Sequence, residues 1–362
     1  MMASNEATPI NEIMKAFRME MLVSPYGNGH INDTFVADST PRYILQRINT
    51  SVFKNPDELM ENIEAVTTHL REKIIANGGN PDRETLTVIR TVDDKPYYRA
   101  ENGKCYRVYK FIEQTYPLDL PENPGQFESS AKAFGRFQNM LADFDASRLH
   151  ETIPNFHHTP KRIENLKAAY EKNLSGRRDM AEDVYAEFLK FEKICCKIQE
   201  GLDSGEIPLR VTHNDTKLNN VLFDVNTHDG ICVIDLDTVM PGSLLFDYGD
   251  SLRFGASTAV EDEADLDKVW FDLEYFESYT KGFLSELGSK ITKAELELLP
   301  LSALILTFEC GIRFLTDFFD GDTYFRTHFA QHNLVRAKNQ LKLCQDIYSK
   351  LDKMAEIVKK YS

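Results

Sequence analysis

The segment RVTHNDTKLNNVLFD, residues 210–224, starts and finishes like an apolar strand but carries His213, Asp215, Lys217 and Asn220 between its ends. A polar loop between strands is ordinary by itself, because turns favour Asn and Asp for their local hydrogen bonds. The residues just downstream are less ordinary. VNTHDG reads as a hairpin turn, and ICVIDLDTVMPG returns as a second apolar strand that ends in acids. Counting outward from the turn, antiparallel pairing should set Asn220 beside Asp235. Strand alternation should put Asp235 and Asp237 on one face, backed by Ile234 and Leu236 on the other. The hairpin then offers a base (Asp215), a cation (Lys217) and two oxygen ligands for a metal (Asn220, Asp235). Magnesium takes oxygen ligands and often only one or two from protein, leaving the rest to phosphates and water. That inventory suits phosphoryl transfer, where the protein positions groups and neutralises charge. A metal-dependent hydrolase would show more carboxylates or histidines around a second metal.

Such a hairpin needs elements to hold it. Upstream, from about residue 21 to 115, short strand-like runs (TFVADS, RYILQRI, TLTVIRTVDDKPYYRA, CYRVYKFIE) are interrupted by one helical pattern, NPDELMENIEAVTTHLREKI. From about residue 127 the pattern is helical: FESSAKAFGRFQNMLADF, PKRIENLKAAYEKNL, MAEDVYAEFLKFEKICCKIQEGL, LEYFESYTKGFLSEL, KAELELLPLSALILTFECGIRFLTDFF and LVRAKNQLKLCQDIYSKLDKMAEIVKKY. The hairpin lies among these helices. The expected class is α+β and bilobal, with a small antiparallel β lobe over residues 1–115 and a larger, mainly α-helical lobe over 116–362, joined near KFIEQTYP.

Composition narrows the partners. A net charge of −15 argues against broad binding to nucleic acid or anionic membrane. No basic start followed by an apolar run opens the chain, and the most apolar segment, LLPLSALILTF, falls short of the ~20 residues that span a bilayer. Six cysteines without metal-ligand spacing read as reduced structural thiols of a cytoplasmic protein, and a monomer is expected.

His213, Asp215 and Asn220 form H-x-D-x-x-x-x-N, and with VIDLD downstream they resemble the catalytic loop and metal aspartate of the aminoglycoside phosphotransferase and choline kinase superfamily, on the protein-kinase-like fold. PYGNGHINDTF, PRYILQRINTSVF, VTHNDTKLNN, IDLDTVMPGSLLFDYGDSLRFGAST and ECGIRFLTDFFDGDTYF resemble the N-acetylhexosamine 1-kinases over nearly the whole chain. The resemblance implies transfer from ATP, with magnesium, to the C1 hydroxyl of N-acetylglucosamine or N-acetylgalactosamine. Asp215 would take the hydroxyl proton, while Asn220 and Asp235 hold the metal. His213 reads as a residue that shapes the loop. Lys217 either neutralises the transferred phosphoryl group or is a solvated loop lysine.

Gly27 and Gly29 would let a phosphate-covering turn take positive φ, and His30 after it would either reach the sugar or be a plain loop histidine. Gln46 stands where kinase-like folds carry a lysine, and a glutamine donates a hydrogen bond without neutralising phosphate. Another cation or the metal must then compensate. Glu61 or Glu64 is the acid expected to bridge the lobes. Glu309, Arg313 and Asp317 share one helical face, so Arg313 is either part of an i,i+4 ion-pair ladder or a sugar ligand. Tyr324 either lines the acetamide pocket or packs in the core. Two rival readings remain: a kinase for a cationic acceptor such as choline or an aminoglycoside, drawn by Asp317, Asp320 and Asp322, and a nucleotide-binding pseudokinase lacking the β-lobe lysine.

Overall fold

The computed structural model describes residues 10–27 and 31–362. The β lobe holds α1 (Ile10–Ala16), β1 (Val23–Pro25), β2 (Asp33–Ala37), β3 (Tyr43–Ile48), α2 (Pro56–Ala76), α3 (Pro81–Glu84), β4 (Val88–Ile89), β5 (Tyr98–Arg99) and β6 (Cys105–Lys110). Its strands form one antiparallel sheet in the order β1-β2-β3-β6-β4, with β5 also on β6. The run TLTVIRTVDDKPYYRA is two short strands, because a turn closed from Thr91 N to Lys95 O, with Asp94 at φ 58°, reverses the chain between them.

Alternation along β6 explains how the sheet is covered. Tyr106 and Val108 pack with Ile13, Met14 and Phe17 of α1 and its following turn, while Cys105 and Tyr109 join the cluster that contains α2. Helix α2 begins where Asn55 caps the N–H of Asp57 at 3.2 Å and Pro56 sets the first helical φ. It buries Leu59, Met60, Ile63, Val66, Leu70 and Ile74, which recur at helical spacing. Its lobe-bridging residue is Asn62, 1% exposed, which donates to His150 O (2.8 Å) and Val239 O (3.0 Å) and accepts from His150 N (2.8 Å). Of the two acids expected to bridge, Glu61 also crosses between the lobes and Glu64 does not. Glu61 meets the His150 ring at 2.8 Å on the exposed side, and Glu64 pairs with Arg90 within the β lobe.

The α lobe comprises β7 (Thr115–Tyr116), α4 (Pro124–Met140), α5 (Thr159–Lys172), α6 (Glu182–Leu189), α7 (Glu192–Cys195), α8 (Lys197–Ser204), β8 (Arg210–Thr212), β9 (Val221–Asp224), β10 (Gly230–Val233), β11 (Met240–Gly242), α9 (Leu244–Gly255), α10 (Leu273–Leu287), α11 (Lys293–Asp320) and α12 (His332–Tyr361). Because β7 pairs with β9, the chain enters the α lobe ahead of residue 115 rather than after it. The run MAEDVYAEFLKFEKICCKIQEGL is three helices; neither Gly nor Pro stands at the breaks, so no local signal marks them. All six cysteines are free. Helix α11 is long and apolar enough to cross a bilayer, but 89% of its most apolar window is buried inside the fold.

Two contacts to α11 place the reaction loop. Glu295, inside the capping box at its start, also receives Arg210 of β8 at 2.5 and 2.8 Å. Helix α9 lies so close that a Cβ on Gly249 would sit 2.5 Å from Ser302 O. Gly249→Ala must push the two helices apart and should cost about 1–3 kcal/mol, read as a lower denaturant midpoint with the slope unchanged.

Candidate active site

The loop leaves β8 at Thr212, which pairs with Met240 of β11 in both backbone register and a side-chain bond to its carbonyl (2.9 Å). Asn214 then takes the left-handed conformation, φ 66°, which an asparagine tolerates when its amide is held locally. Here Asn214 Nδ2 donates to Thr238 O at 2.8 Å. The turn leaves the N–H groups of His213 and Asn214 pointing at one carboxylate, that of Asp247, at 2.9 and 2.8 Å. Gln138 adds a third donor at 2.6 Å, and Asp247 is fully buried. Burial raises its carboxyl above the usual range, against His213, the two N–H bonds and Gln138. One turn on, Asp250 accepts Thr216 N at 3.1 Å and pairs with Arg253 at 3.0 Å.

His213 shapes the loop rather than facing a substrate. It is fully buried, its Nε2 lies 2.8 Å from Ile234 O, and its Nδ1 lies 3.3 Å from Asp215 N. A carbonyl can only accept, so Nε2 carries the hydrogen and Nδ1 accepts from Asp215.

The expected base and ligands come together. Asp215 has one oxygen 2.9 Å from Lys217 Nζ and the other 3.2 Å from Asn220 Nδ2, which also donates to Asp215 O at 2.8 Å. Burial would lower the Lys217 ammonium, but Asp215 and Asp250 outweigh it and hold it above the ordinary lysine value. Lys217 is thus a charged member of the cluster through its ion pair with Asp215, with its side chain partly exposed. The register of β9 with β10 differs from the simple count: Val221 faces Val233, and Ile234 N donates to Asn220 O. The pairing starts two residues off that count, with Gly230 opposite Phe223, and an irregularity between Gly230 and Cys232 brings it back by one. The strand ends at Val233, Asp235 turns to φ 59°, and Leu236–Thr238 is a 3-10 turn, so strand alternation does not align Asp235 with Asp237.

Asp235 still meets the cluster. Its pKa is pushed up to about 7 by burial first, then by the charges of Asp237 and Asp215, against Arg107 and Lys217. Asp237 is spoken for. It takes Arg107 Nη2 at 2.6 Å and Asn32 Nδ2 at 2.7 Å from the β lobe. Arg107 is 1% exposed and stands directly across the ladder from Gln46, whose Oε1 accepts its Nε and Nη2 at 3.1 and 2.9 Å. Gln46 Nε2 in turn donates to Thr34 Oγ1 at 3.1 Å. Gly27 adopts φ 72° as its place in the turn requires; Gly29 and His30 lie outside the described residues.

On the other side of the loop, His157 ties Asn214 O (3.3 Å) to Glu309 (2.8 Å), and Thr159 completes Glu309 at 2.5 Å. Burial would raise Glu309, yet His157 and Thr159 outweigh it and keep it below the usual carboxylate value. Asp317 spends its carboxylate on the N–H groups of Thr323, Tyr324 and Phe325 and on Asn333, all at 2.8–2.9 Å. The ion-pair ladder on α11 therefore does not form. Arg313 has no carboxylate partner among the described residues; its guanidinium lies 5.8 Å from the Tyr324 ring and 5.4 Å from Phe325, with Nη2 3.5 Å from the Tyr324 hydroxyl. Tyr324 is 73% exposed, which excludes core packing. Arg162 is a neighbour: burial lowers it, and the like charge of Arg313 lowers it further.

The sequence profile of the phosphotransferase enzyme family (APH) matches residues 23–276. The chain belongs to that family. Its fold is shared with a spectinomycin phosphotransferase in complex with ADP and spectinomycin (TM-score 0.56, 15% identity, 95% of this chain and 98% of that one). It is shared equally with a microcompartment-associated aminopropanol kinase (TM-score 0.57, 13% identity, 96% and 98%) and with a choline kinase from Cryptosporidium parvum Iowa II (TM-score 0.55, 14% identity, 94% and 93%).

In this phosphotransferase the side chains that position the reaction loop were the ones that sequence reasoning missed. Asp247 and Asp250 stand i,i+3 in FDYGD, a helix otherwise apolar, and two acids on a buried face are a signal for paired or hydrogen-bonded carboxylates. Arg107 and Arg162 left no comparable mark. A divalent cation fits the donors present: Asn220 keeps its amide oxygen free of any protein partner among the described residues, and the Asp235 carboxylate has no hydrogen bond or ion pair there. No group of three or more His, Cys, Asp or Glu side chains is placed to hold a metal among the described residues, so a cation here would draw its remaining ligands from phosphate and water.

The raised pKa of Asp235 makes a stability prediction. An unfolded chain ionises this carboxyl from 3.8 and the folded one from about 7, so folding loses stability as pH rises between those values. In chelator, Asp235→Asn should melt several degrees above the parent at pH 8, and the gain should vanish below about pH 4. An equal gain at both pH values would mean that the carboxylate is not the cause.

Proposed function

We propose that this phosphotransferase moves the terminal phosphoryl group of ATP to the C1 hydroxyl of an N-acetylhexosamine, giving the sugar 1-phosphate. The observation that carries the choice of acceptor is the state of Arg313. It is a guanidinium without a carboxylate, beside an exposed tyrosine ring and a second arginine, Arg162. Such a surface offers fixed donors to hydroxyl and amide oxygens and repels a cation. Two of the three acids that favoured a cationic acceptor are engaged, Asp317 by loop N–H groups and Asp322 by Arg177 (2.7 Å) and Asn333 (2.9 Å), which leaves Asp320 without a hydrogen-bond or ion-pair partner among the described residues. The resemblance of the long motifs to the N-acetylhexosamine 1-kinases supports the same acceptor.

Asp215 orients the acceptor hydroxyl and takes its proton, held in place by Asn220 and by the His213–Asp247 scaffold. Lys217, 2.9 Å from Asp215, brings positive charge to the oxygen where negative charge develops. Asn220 and Asp235 would hold magnesium, which neutralises and orients the nucleotide phosphates. The ADP in the spectinomycin phosphotransferase supports a nucleotide donor. The buried free thiols support a reducing, cytoplasmic setting.

The test is a panel of N-acetylglucosamine, N-acetylgalactosamine, choline and an aminoglycoside with ATP and magnesium, scored for ADP and an acid-labile sugar phosphate. Turnover confined to the sugars is expected, and turnover confined to a cation overturns the acceptor. Nucleotide binding without any turnover would make the chain a pseudokinase. Asp215→Asn should keep nucleotide binding and lose roughly 10²–10⁴ of the rate. Arg313→Ala should raise the sugar KM with little change in the binding of a nucleotide analogue.

A further inference from the structure

The β lobe lacks a cation at Gln46, and the neighbouring strand holds one in the same place. Gln46 and Arg107 are cross-strand partners of β3 and β6, so their side chains rise from the same face of the sheet. Gln46 turns its carbonyl oxygen to the guanidinium and its amide to Thr34, which leaves it little to offer a ligand and makes it a bracket for Arg107. The counter-ion is exchanged as well. In protein kinases the sheet lysine pairs with a glutamate of the following helix. Here neither Glu61 nor Glu64 of α2 reaches Arg107, and the partner is Asp237, two residues beyond Asp235.

Arg107 is not satisfied by these contacts. Its Nε and Nη2 donate to Gln46, while among the described residues Nη1 is buried without a hydrogen-bond partner, as is Asp237 Oδ1, which meets the guanidinium as an ion pair only. A buried donor left empty is costly, and natural structures keep few of them without a reason. The side chain is also within the electrostatic reach of Asp235, the carboxylate assigned to the metal. A fixed planar cation with one open donor, beside the metal aspartate, is suited to an oxyanion of a phosphate chain.

We propose that Arg107 is the nucleotide-phosphate cation of this chain, standing in from β6 for the lysine absent from β3, with Nη1 donating to a phosphate oxygen and Asp237 and Gln46 holding the guanidinium in place. This rests on the phosphotransferase reading above and assigns the nucleotide side of that site.

The experiment is calorimetric titration of the full chain with magnesium and AMP-PNP, and with adenosine, which lacks phosphates. Arg107→Gln should lower AMP-PNP affinity by about 10–100-fold, the order expected for a charge-assisted hydrogen bond, and leave adenosine affinity as it was. Gln46→Lys combined with Arg107→Gln returns a cation to β3 and should restore most of the difference. Equal loss for AMP-PNP and adenosine, or no loss for either, overturns the proposal. If Arg107→Gln does not fold, the double variant decides alone: a parent-like ratio of the two affinities supports the proposal, and a collapsed ratio overturns it. Failure of the parent chain to bind AMP-PNP would instead sink the phosphotransferase reading itself, so the two failures are distinct.

Discussion

Two backbone N–H groups, of His213 and Asn214, meet a carboxylate that has no contact with water, and the rest of the reaction loop depends on that meeting. A buried ionised carboxyl is unfavourable unless donors surround it, and a left-handed asparagine is unfavourable unless something holds it. Asp247 and the loop each supply what the other lacks. Their fit requires α9 to lie against α11 at a distance that only a glycine at 249 allows, and α11 to hold β8 through Glu295. Asp215, the proposed base, is thus placed by core packing several residues away from it.

The cleft itself is unbalanced in charge. Asp215, Asp235 and Asp237 face Lys217 and Arg107, and the two cations pair with Asp215 and Asp237. Asp235 is left over, and burial first, then the charges of Asp237 and Asp215, raise its pKa. A group arranged to be unstable alone is what a cation and a phosphate chain would relieve, so binding energy and folding energy oppose each other at this residue. The β lobe takes part in the same balance, since Arg107 and Asn32 both reach Asp237 across the cleft.

On the acceptor side, hydrogen-bond commitments decide chemistry that charge counting would misread. Three acids near the end of α11 look like a site for a cation, and the i,i+4 spacing of Glu309, Arg313 and Asp317 looks like an internal ladder. Glu309 and Asp317 instead serve loops: Glu309 joins α11 to the reaction loop through His157, and Asp317 folds residues 323–325 so that Tyr324 stands exposed beside Arg313. Arg313 has no carboxylate partner among the described residues because its helical neighbours have other partners.

The sequence by itself determined the two-lobed α+β plan, the family, and the roles open to Asp215, Lys217, Asn220 and Asp235. These rest on periodicity and on residue types at short, fixed spacing, which are properties of a single stretch of chain. It did not determine the one-residue offset in the β9–β10 pairing, because the turn closes between Asp224 and Asp229, earlier than the count from VNTHDG, and an irregularity near Cys232 undoes only part of the difference. Nor did it reveal the cation at Arg107, since a strand arginine looks like any edge or solvent residue until its cross-strand partner is known. The buried bridge of Asn62 beside Glu61, and the pairing of Arg107 with Asp237, were also decided only by packing. Contacts between residues far apart in sequence depend on how helices and sheets dock, and side-chain spacing along the chain holds no record of that.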